Sequence, residues 1–565
     1  MAAQSTVYGC HPGSPLARMP YSLRRLPVFR ADVLVVGSGV AGLATALSAA
    51  EKGGHVMVLC KGRIADTNTH YAQGGIAAAV GPNDDVELHA GDTLRLGYGI
   101  SEAQVVEAIT AAAPEAMDWL LESGMSFDRE PSGNFSLGME GGHRLPRILH
   151  SGGTATGKEL QRVLAARAQQ HPHIDFYPNT TAVELLKDSE DVVTGLVALT
   201  RQGSDGTFNP VLFEANSVVL ATGGGGQIFR ETTNPQLATA DGLAMALRAG
   251  AVLQDLEFVQ FHPTILYLAG AARFLISEVV RGEGAVLRDR NGVAFMSAFH
   301  PDADLAPRDV VSRAIFRRMI EAGDTNVFLD LAKVTNPECR FPGLARIASE
   351  FGIQIGADPI PVRPAVHYFV GGVAAALDGS TNVDGLYAVG ECASTGFHGA
   401  NRMGSNSLLE GLVHGRLVGD RILDRKRSVR RFVAPNLPDD HRAPAAELNL
   451  TDMTYSLKSL LWRQVGIERD AAGLADAQER LDTWAHYLER LGPFTPEGVE
   501  VMNMVQVAQA ITRSASFREE SRGAHFRSDF PDTDPDWRVH SRLESTGNGL
   551  RISPELIPDS PRLHK

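Results

Sequence analysis

The stretch that most constrains the fold is residues 31–62, which read ADVLVVGSGVAGLATALSAAEKGGHVMVLCKG. The apolar, β-branched run Asp32–Val36 predicts a strand, and the alanine-rich run after the glycines predicts a helix followed by a second strand. Between them stands the pattern Gly37-x-Gly39-x-x-Gly42. Free N–H groups and the helix dipole attract anions to a helix N-terminus, so a pyrophosphate belongs at this turn. The sequence therefore predicts a dinucleotide site within a βαβ unit.

The end of the second strand departs from the nicotinamide dinucleotide pattern. An acidic residue there normally holds the ribose hydroxyls of NAD, but this chain reads Leu59-Cys60-Lys61. The departure disfavours a nicotinamide-dependent dehydrogenase and favours a flavin dinucleotide that is held differently. Lys61 is expected near the ribose or adenine end of that cofactor.

Two later glycine-rich segments resemble the first, namely VVLATGGGGQIF (218–229) and GLYAVGECASTGFHGANRMGSNSLLEG (385–411). Three such strand ends predict an α/β fold in which one sheet is assembled from distant segments. A Rossmann-like FAD-binding domain is expected over 31–244 and 360–430, with an inserted α+β capping domain over 245–359.

The remaining parts of the chain differ in character. Apolar residues at helical spacing predict a helical C-terminal domain over 440–530, after the linker VAPNLPDDHRAPAAELN. Residues 1–30 are expected to be a flexible extension, and 531–565, rich in Pro, Asp and Ser, a loose tail.

Composition excludes several classes of protein. The net charge of -13 and the absence of a long basic run argue against nucleic-acid binding. The 4 cysteines are far apart, which argues against a disulfide framework or a metal cluster and fits a reducing cytoplasm. No stretch approaches the roughly 20 apolar residues of a membrane span, and no signal peptide is recognisable, so we expect a cytoplasmic protein without a membrane segment.

Several short stretches concentrate cationic and hydrogen-bonding side chains among glycines. Taken singly, His262 can cap a turn, Arg308 can pair with Asp309, and His367 can be a satisfied core histidine. Together, two histidines and two arginines beside a flavin suit a dicarboxylate, because arginine grips carboxylates with paired N–H groups and histidine adds donors. The stretches are EGGHRLPRILH (140–150), FHPTILY (261–267), SEVVRGEGA (277–285), APRDVVSRAI (306–315), VHYFVGGV (366–373) and Asn401-Arg402.

With YAQGGIAAA and the C-terminal ESRGAHFRSDFP, these ordered motifs resemble the succinate dehydrogenase/fumarate reductase flavoprotein superfamily over about residues 31 to 530. Within it, the chain is most similar to the L-aspartate oxidase family. The resemblance implies noncovalent FAD and oxidation of L-aspartate to iminosuccinate (iminoaspartate), the first step of de novo NAD biosynthesis. Electrons would pass to oxygen, giving hydrogen peroxide, or to fumarate, giving succinate. A functional link to quinolinate synthase is a further expectation.

The resemblance also implies roles for individual residues. Arg308 would donate or accept a proton through a relay with Glu278 and Arg281. Glu140 would recognise the substrate amino group; the alternative is a surface glutamate in a glycine-rich loop. Ser277 stands where threonine is usual and keeps the hydroxyl. The residues expected to bind the substrate, besides Glu140, are His262, Ser277, His367, Arg402 and Ser405.

The expected FAD contacts fall in the glycine turn, the 67–75 loop and three later segments. They are Gly37, Ser38, Gly39, Val40, Ala41, Gly42, Lys61, Thr67, Asn68, Thr69, His70, Tyr71, Ala72, Gln73, Gly74, Gly75, Asp241, Glu391, Ser407 and Leu408.

The histidine in TNTHYAQGG (67–75) bears on the choice between rival functions. His70 can be a covalent tether for FAD, a catalytic base or a bystander. In covalently flavinylated relatives the tethering histidine lies five residues before the glutamine of AQGG, and that position here is Asn68. We therefore expect a dissociable FAD. This favours the oxidase over a succinate dehydrogenase or fumarate reductase subunit, which works with an iron–sulfur partner. A flavin-binding scaffold without turnover is a more distant alternative.

Overall fold

The computed structural model describes residues 6–8, 13–19, 23–201, 206–268, 274–424, 447–546 and 549–557. The strands of these residues belong to four sheets. In chain order they are β1 Thr6–Tyr8, β2 Val28–Val36, β3 Val56–Leu59, β4 Ile76–Ala77, β5 Leu137–Gly138, β6 Ile148–Leu149, β7 Ile174–Tyr177, β8 Thr180–Lys187, β9 Val193–Arg201, β10 Phe208–Leu220, β11 Leu253–Gln254, β12 Val259–Leu266, β13 Val286–Arg288, β14 Val327–Asp330, β15 Ile360–Phe369, β16 Gly372–Ala374, β17 Leu386–Ala388, β18 Ala393–Ser394, β19 Val539–Thr546 and β20 Gly549–Leu556.

The helices of the described residues range from single turns to more than five turns. They are α1 Val40–Glu51, α2 Asn68–Tyr71, α3 Val86–Leu96, α4 Ala103–Glu122, α5 Thr156–Gln170, α6 Asp241–Arg248, α7 Val279–Gly282, α8 Arg308–Ala322, α9 Pro337–Arg340, α10 Pro342–Glu350, α11 Asn406–Arg421, α12 Leu450–Gln464, α13 Ala471–Leu491 and α14 Pro496–Phe517. None of the helices in this part of the chain is long and apolar enough to cross a membrane.

The central sheet is built from segments far apart in sequence, in the order β7-β3-β2-β10-β9-β8, with β17 beside β10. Val218 of β10 pairs in parallel with Leu34 of β2 and with Leu386 of β17. The prediction that the three glycine-rich strand ends share one sheet is thus confirmed. Residues such as Val33 and Val35 are fully buried, as expected for a sheet covered on both faces. Ligands of such sheets bind at the carboxyl ends of the strands.

The capping unit is a four-stranded antiparallel sheet, β12-β15-β14-β13, with its own buried core and with α8 against it. Its boundaries differ from the predicted 245–359. β15, expected in the FAD-binding domain, pairs with β12 and β14, whereas β11, expected in the cap, pairs with β16 and β19. Strand pairing between distant segments decides the boundary, and no change in composition marks it.

Helices α12, α13 and α14 form the C-terminal helical region, as the apolar spacing predicts. Most of α14 is buried because it packs against α13 on one side and α6 on the other. Most of the predicted linker falls within 425–446, outside the described residues.

The prediction of a flexible extension over 1–30 and a loose tail over 531–565 is wrong for the described residues, because both segments contain ordered structure. β19 and β20 form a hairpin, β1 adds to β20, and β19 joins the sheet that contains β11. Near the N-terminus, Leu16, Met19 and Leu23 are at most 3% exposed. These apolar side chains pack against the central sheet, and their burial stabilises the ordered segment.

Candidate active site

One cavity extends from the turn after β2 to the face of the cap. One end is lined by the glycine turn with Lys61 and Asp241. The other end is lined by Glu140 and by the residues predicted to bind a dicarboxylate, namely His262, Arg308, His367 and Arg402. The predicted residues that line it are Gly37, Ser38, Gly39, Val40, Ala41, Lys61, Thr67, Asn68, Thr69, Tyr71, Ala72, Gln73, Gly74, Gly75, Glu140, Asp241, His262, Ser277, Glu278, Arg308, His367, Glu391, Arg402, Ser405, Ser407 and Leu408. Gly42, His70 and Arg281 are predicted site residues that are not among the lining residues.

The glycine turn has the geometry that an anion site requires. Gly37 adopts a φ of +116°, and a Cβ there would lie 2.2 Å from the carbonyl oxygen of Ala221. A Cβ at Gly42 would lie 2.1 Å from the oxygen of Gly37, so this glycine serves the close packing of α1 on the turn. The N-cap residue Gly39 has no side chain, and the first N–H of α1, that of Val40, donates to the hydroxyl of Thr69 over 3.0 Å. The other N–H groups of this first turn can bind a phosphate.

At the same end of the cavity, Lys61 is held by carboxylates from two other elements. Its Nζ lies 2.8 Å from Asp241 and 2.8 Å from Glu500, and Asn503 donates to the other oxygen of Asp241. Burial acts to lower the pKa of Lys61, but the two carboxylates outweigh it and raise that pKa. Helix α14 therefore helps to build this end of the cavity. Glu500 and Asn503 were missed because a polar residue on a helix pattern indicates an exposed face.

The 67–75 loop is joined to the third glycine-rich segment by Asn68. Its side-chain amide donates to Glu391 over 3.0 Å, and the backbone N–H of Phe369 donates to the other oxygen of Glu391 over 3.0 Å. Burial raises the pKa of Glu391 despite these donors. His70 lies on the same short helix but outside the cavity wall.

At the cap, Arg308 begins α8 and points toward two carboxylates. Its Nε donates to Glu278 over 2.7 Å, and its Nη2 lies 3.8 Å from Glu140. Burial acts to lower the pKa of Arg308, but Glu278 and Glu140 raise it overall. Arg281 lies 3.3 Å from Glu278 on the side away from the cavity lining. The expected set of Arg308, Glu278 and Arg281 is therefore a connected chain of charges that ends in the cavity with a protonated guanidinium.

Arg402 is the second buried arginine and comes from the loop before α11. It donates to Gln260 over 3.2 Å and to Ser407 over 2.9 Å, and its guanidinium lies 4.7 Å from the ring centre of Tyr368. Burial lowers the pKa of Arg402 to about 10, with Arg308 adding to the effect, so it is charged at neutral pH. Its Nη2 has no hydrogen-bond partner among the described residues. An arginine that is charged, buried and incompletely paired is suited to bind a carboxylate.

The two histidines of the prediction lie side by side. The rings of His262 on β12 and His367 on β15 are 5.3 Å apart. Burial, reinforced by the nearby arginines, lowers the pKa of each well below 6.5. Both imidazoles are therefore neutral at neutral pH, and each can offer one N–H donor to a ligand.

Glu140 is not a surface residue. It is 5% exposed, and the hydroxyl of Ser405 donates to it over 3.0 Å. Ser277 is 8% exposed and also lines the cavity. The site therefore places the Glu140 carboxylate near two arginines and two neutral histidines, while the Glu278 carboxylate is already bonded to Arg308. Such an arrangement suits a ligand that has two carboxylates and one cationic group.

Comparison with known proteins agrees with this geometry. A family model described as "FAD binding domain" matches residues 32–408, and one described as "Fumarate reductase flavoprotein C-term" matches 454–557. The L-aspartate oxidase of Nostoc sp. is 41% identical over 547 residues, covering 91% of this chain and 93% of the relative. That of Streptomyces coelicolor is 42% identical, covering 90% of each. The chain belongs to the L-aspartate oxidase family.

Solved structures of the wider superfamily share this fold. A FrdA chain of E. coli quinol fumarate reductase is 29% identical, with a TM-score of 0.85, covering 95% of this chain and 98% of that one. The apo Sdh1 complex of Mycobacterium smegmatis is 31% identical, with a TM-score of 0.81, covering 95% and 96%. The L-aspartate oxidase family and the respiratory flavoproteins therefore use one scaffold, and the predicted fold class is confirmed.

As a member of the L-aspartate oxidase family, the chain is an enzyme with noncovalent FAD as its cofactor. The cavity fits this cofactor in three respects. Besides the Val40 N–H, which bonds to Thr69, the first turn of α1 offers N–H groups to the pyrophosphate. The buried Oδ1 of Asn68 has no partner within the described part of the chain, and Asn68 itself occupies the tether position.

Sequence reasoning missed Thr233, Asn234 and Gln260. Thr233 and Asn234 line the cavity beside His367. The amide oxygen of Gln260 accepts from both Arg308 and Arg402, which links the cap to the loop of the FAD-binding domain. Gln260 directly precedes the FHPT motif and TTN (232–234) follows the four glycines, so proximity to motifs is the signal that could have found them.

Proposed function

We propose that this enzyme oxidises L-aspartate to iminosuccinate in the cavity between the FAD-binding domain and the cap. The observation that carries the proposal is the buried carboxylate of Glu140, which faces Arg308 and lies in the same cavity wall as Arg402. A dicarboxylate without an amino group would bring a further negative charge to Glu140 and no cationic group to pair with it. The ammonium group of L-aspartate would pair with Glu140. The relatives at about 40% identity are L-aspartate oxidases, which supports the same substrate.

The residues of the chain divide the work of binding and proton control. Arg402 pairs with one substrate carboxylate, and the N–H groups of His262 and His367 hold the second. Ser277 adds a hydroxyl donor, and Ser405 holds Glu140 in place by donating to it over 3.0 Å. When bound, FAD accepts the hydride from the substrate Cα. Holding Cα in one orientation is the main contribution of the protein, because a fixed geometry removes the entropic cost of alignment.

We assign proton control to the linked side chains of Arg308, Glu278 and Arg281. The raised pKa of Arg308 keeps its guanidinium protonated, and Glu278 with Arg281 connects it to the cap behind the cavity. In the direction that reduces fumarate, Arg308 therefore donates the proton. In the direction that oxidises L-aspartate, the ammonium group also loses one proton, which passes to water, as the hydride leaves Cα. The positive charge of Arg308 offsets the Glu140 carboxylate and stabilises the two substrate carboxylates.

The electron acceptors and the cellular setting belong to the same proposal. Oxygen would regenerate the oxidised cofactor with formation of hydrogen peroxide, and fumarate would do so with formation of succinate. The iminosuccinate product would serve quinolinate synthase in NAD biosynthesis, in the cytoplasm. What supports this setting is the family membership together with the dicarboxylate character of the site.

An anaerobic titration of the yellow holoenzyme tests the proposal. L-aspartate should bleach the flavin absorbance, while succinate at the same concentration should leave it oxidised. Bleaching by succinate alone would instead assign the chain to the succinate dehydrogenase and fumarate reductase branch.

A further inference from the structure

The two histidines that line the cavity each have a threonine within hydrogen-bond distance of Nδ1. The backbone N–H of Thr264 donates to Nδ1 of His262 over 3.3 Å. Because a backbone N–H can only donate, this nitrogen of His262 is the acceptor, and the proton of the neutral ring stays on Nε2.

The corresponding partner of His367 is the hydroxyl of Thr233, 2.9 Å from Nδ1. A hydroxyl can donate or accept, so the direction of this bond depends on what else the Thr233 hydrogen could reach. Among the described residues, the alternative acceptor is the carbonyl oxygen of Val366, at 3.4 Å.

That carbonyl is already occupied. The oxygen of Val366 accepts from the backbone N–H of Thr233 over 3.0 Å and from the hydroxyl of Thr232 over 3.2 Å. A carbonyl oxygen has two lone pairs, and a 3.4 Å contact is long for a hydroxyl donor. The hydrogen of Thr233 therefore goes to Nδ1 of His367.

We propose that Thr233 fixes His367 in the tautomer that carries its proton on Nε2, so that both histidines present an N–H donor to the substrate carboxylate. Thr233 is thus a positioning residue. The inference rests on the proposed function for the identity of the ligand, although the direction of the Thr233 bond does not depend on it. In the other tautomer, Nε2 of His367 would present a lone pair to a carboxylate oxygen, which is repulsive.

The first test concerns the tautomer itself in the holoenzyme without substrate. Nitrogen-15 NMR of protein labelled in histidine distinguishes a protonated from an unprotonated ring nitrogen, and a His367→Gln variant assigns the His367 signals. We expect Nε2 of His367 to be protonated in the native enzyme and the two tautomers to mix in Thr233→Val. A native signal with the proton on Nδ1 overturns the proposal, whatever substrate the enzyme uses.

The second test is kinetic and uses a matched pair of substitutions. Thr233→Val should raise KM for L-aspartate by the inverse of its Nε2-protonated fraction, about twofold for an equal mixture and about tenfold if that fraction falls to about a tenth, with kcat within about twofold of native. Thr233→Ser, which keeps the hydroxyl, should restore both constants. Thr512→Val, the same change at a buried helix position whose hydroxyl donates to the carbonyl oxygen of Ala508, controls for loss of a buried hydroxyl.

The outcomes separate this inference from the proposed function. If the native enzyme does not oxidise L-aspartate, the proposed function fails while the tautomer measurement still stands. If L-aspartate is oxidised but Thr233→Ser is as impaired as Thr233→Val, or Thr233→Val retains a single Nε2 proton and a native KM, the role of Thr233 is refuted.

Discussion

Replacing Glu140 by glutamine removes the charge that we assign to recognition of the substrate ammonium group and keeps the shape of the side chain. The amide oxygen can still accept the Ser405 hydroxyl, which now lies 3.0 Å from the carboxylate. Arg308 keeps its 2.7 Å bond to Glu278, so the variant leaves no buried cation without a carboxylate. The substitution therefore isolates the interaction with the substrate.

The magnitude follows from the burial of the site. A hydrogen bond to a charged group contributes about 1.5–3 kcal/mol, which corresponds to a fall of roughly 10- to 150-fold in kcat/KM for L-aspartate. Succinate has no ammonium group and faces the Glu140 carboxylate at a cost. Its inhibition constant in the variant should therefore be equal to or lower than the native value.

The assay is steady-state oxidation of L-aspartate with succinate as competitive inhibitor. Glu130→Gln, the same change at an exposed loop position, serves as the control and should match the native enzyme. An equal weakening of L-aspartate and succinate, or no change in either, refutes the assigned role of Glu140.

Two further predictions concern the cofactor and the fold. Glu391→Ala removes the acceptor of both Asn68 and the Phe369 N–H, so the holoenzyme should lose FAD on gel filtration, and full retention of FAD would contradict a contact at this place. His540 is buried between Asp255 and Glu102; burial opposes its charge, but the two carboxylates raise its pKa from 6.5 to about 10. Its stabilising contribution, about 5 kcal/mol at 1.36 kcal/mol per pKa unit, is therefore complete below pH 6.5 and is lost as the pH rises toward 10. The difference in Tm between the native enzyme and His540→Gln should accordingly shrink between pH 6 and pH 10, and a constant difference would show that the ion pairs do not govern it.

Local patterns predicted the parts of the fold that depend on local physics. The Gly37 turn requires a residue that tolerates a φ of +116° and no side chain against Ala221, and glycine alone meets both demands. The turn and its flanking strand and helix were therefore readable from about thirty residues. The shared sheet was readable because each glycine-rich segment follows an apolar strand.

The chain ends were mispredicted because their structure depends on pairing across the whole sequence. Thr6 pairs with Ile552, and Leu543 pairs with Leu253, so neither register leaves a local signal. A segment rich in Pro, Asp and Ser can still supply a hairpin when a sheet edge is available. Pairing between distant segments also explains why both predicted boundaries of the cap were wrong. β15 pairs with β12 of the cap, and β11 pairs with β16 and β19 outside it.

The site shows the same division between local and distant information. Motif residues such as His262 and Arg402 were found because charged and aromatic donors among glycines stand out. Thr233 and Gln260 were missed because a threonine and a glutamine are ordinary on strands and loops. Their importance comes from contacts with His367 and with the two arginines, which only the folded chain brings together.

The most direct test of the account is the rate of anaerobic flavin bleaching by L-aspartate that carries deuterium at Cα, compared with L-aspartate that carries it at Cβ. The account predicts that deuterium at Cα slows bleaching markedly while deuterium at Cβ has almost no effect, because the hydride leaves from the carbon that bears the amino group. Slowing by deuterium at Cβ alone, or no bleaching by L-aspartate at all, would contradict oxidation of L-aspartate to iminosuccinate in this cavity.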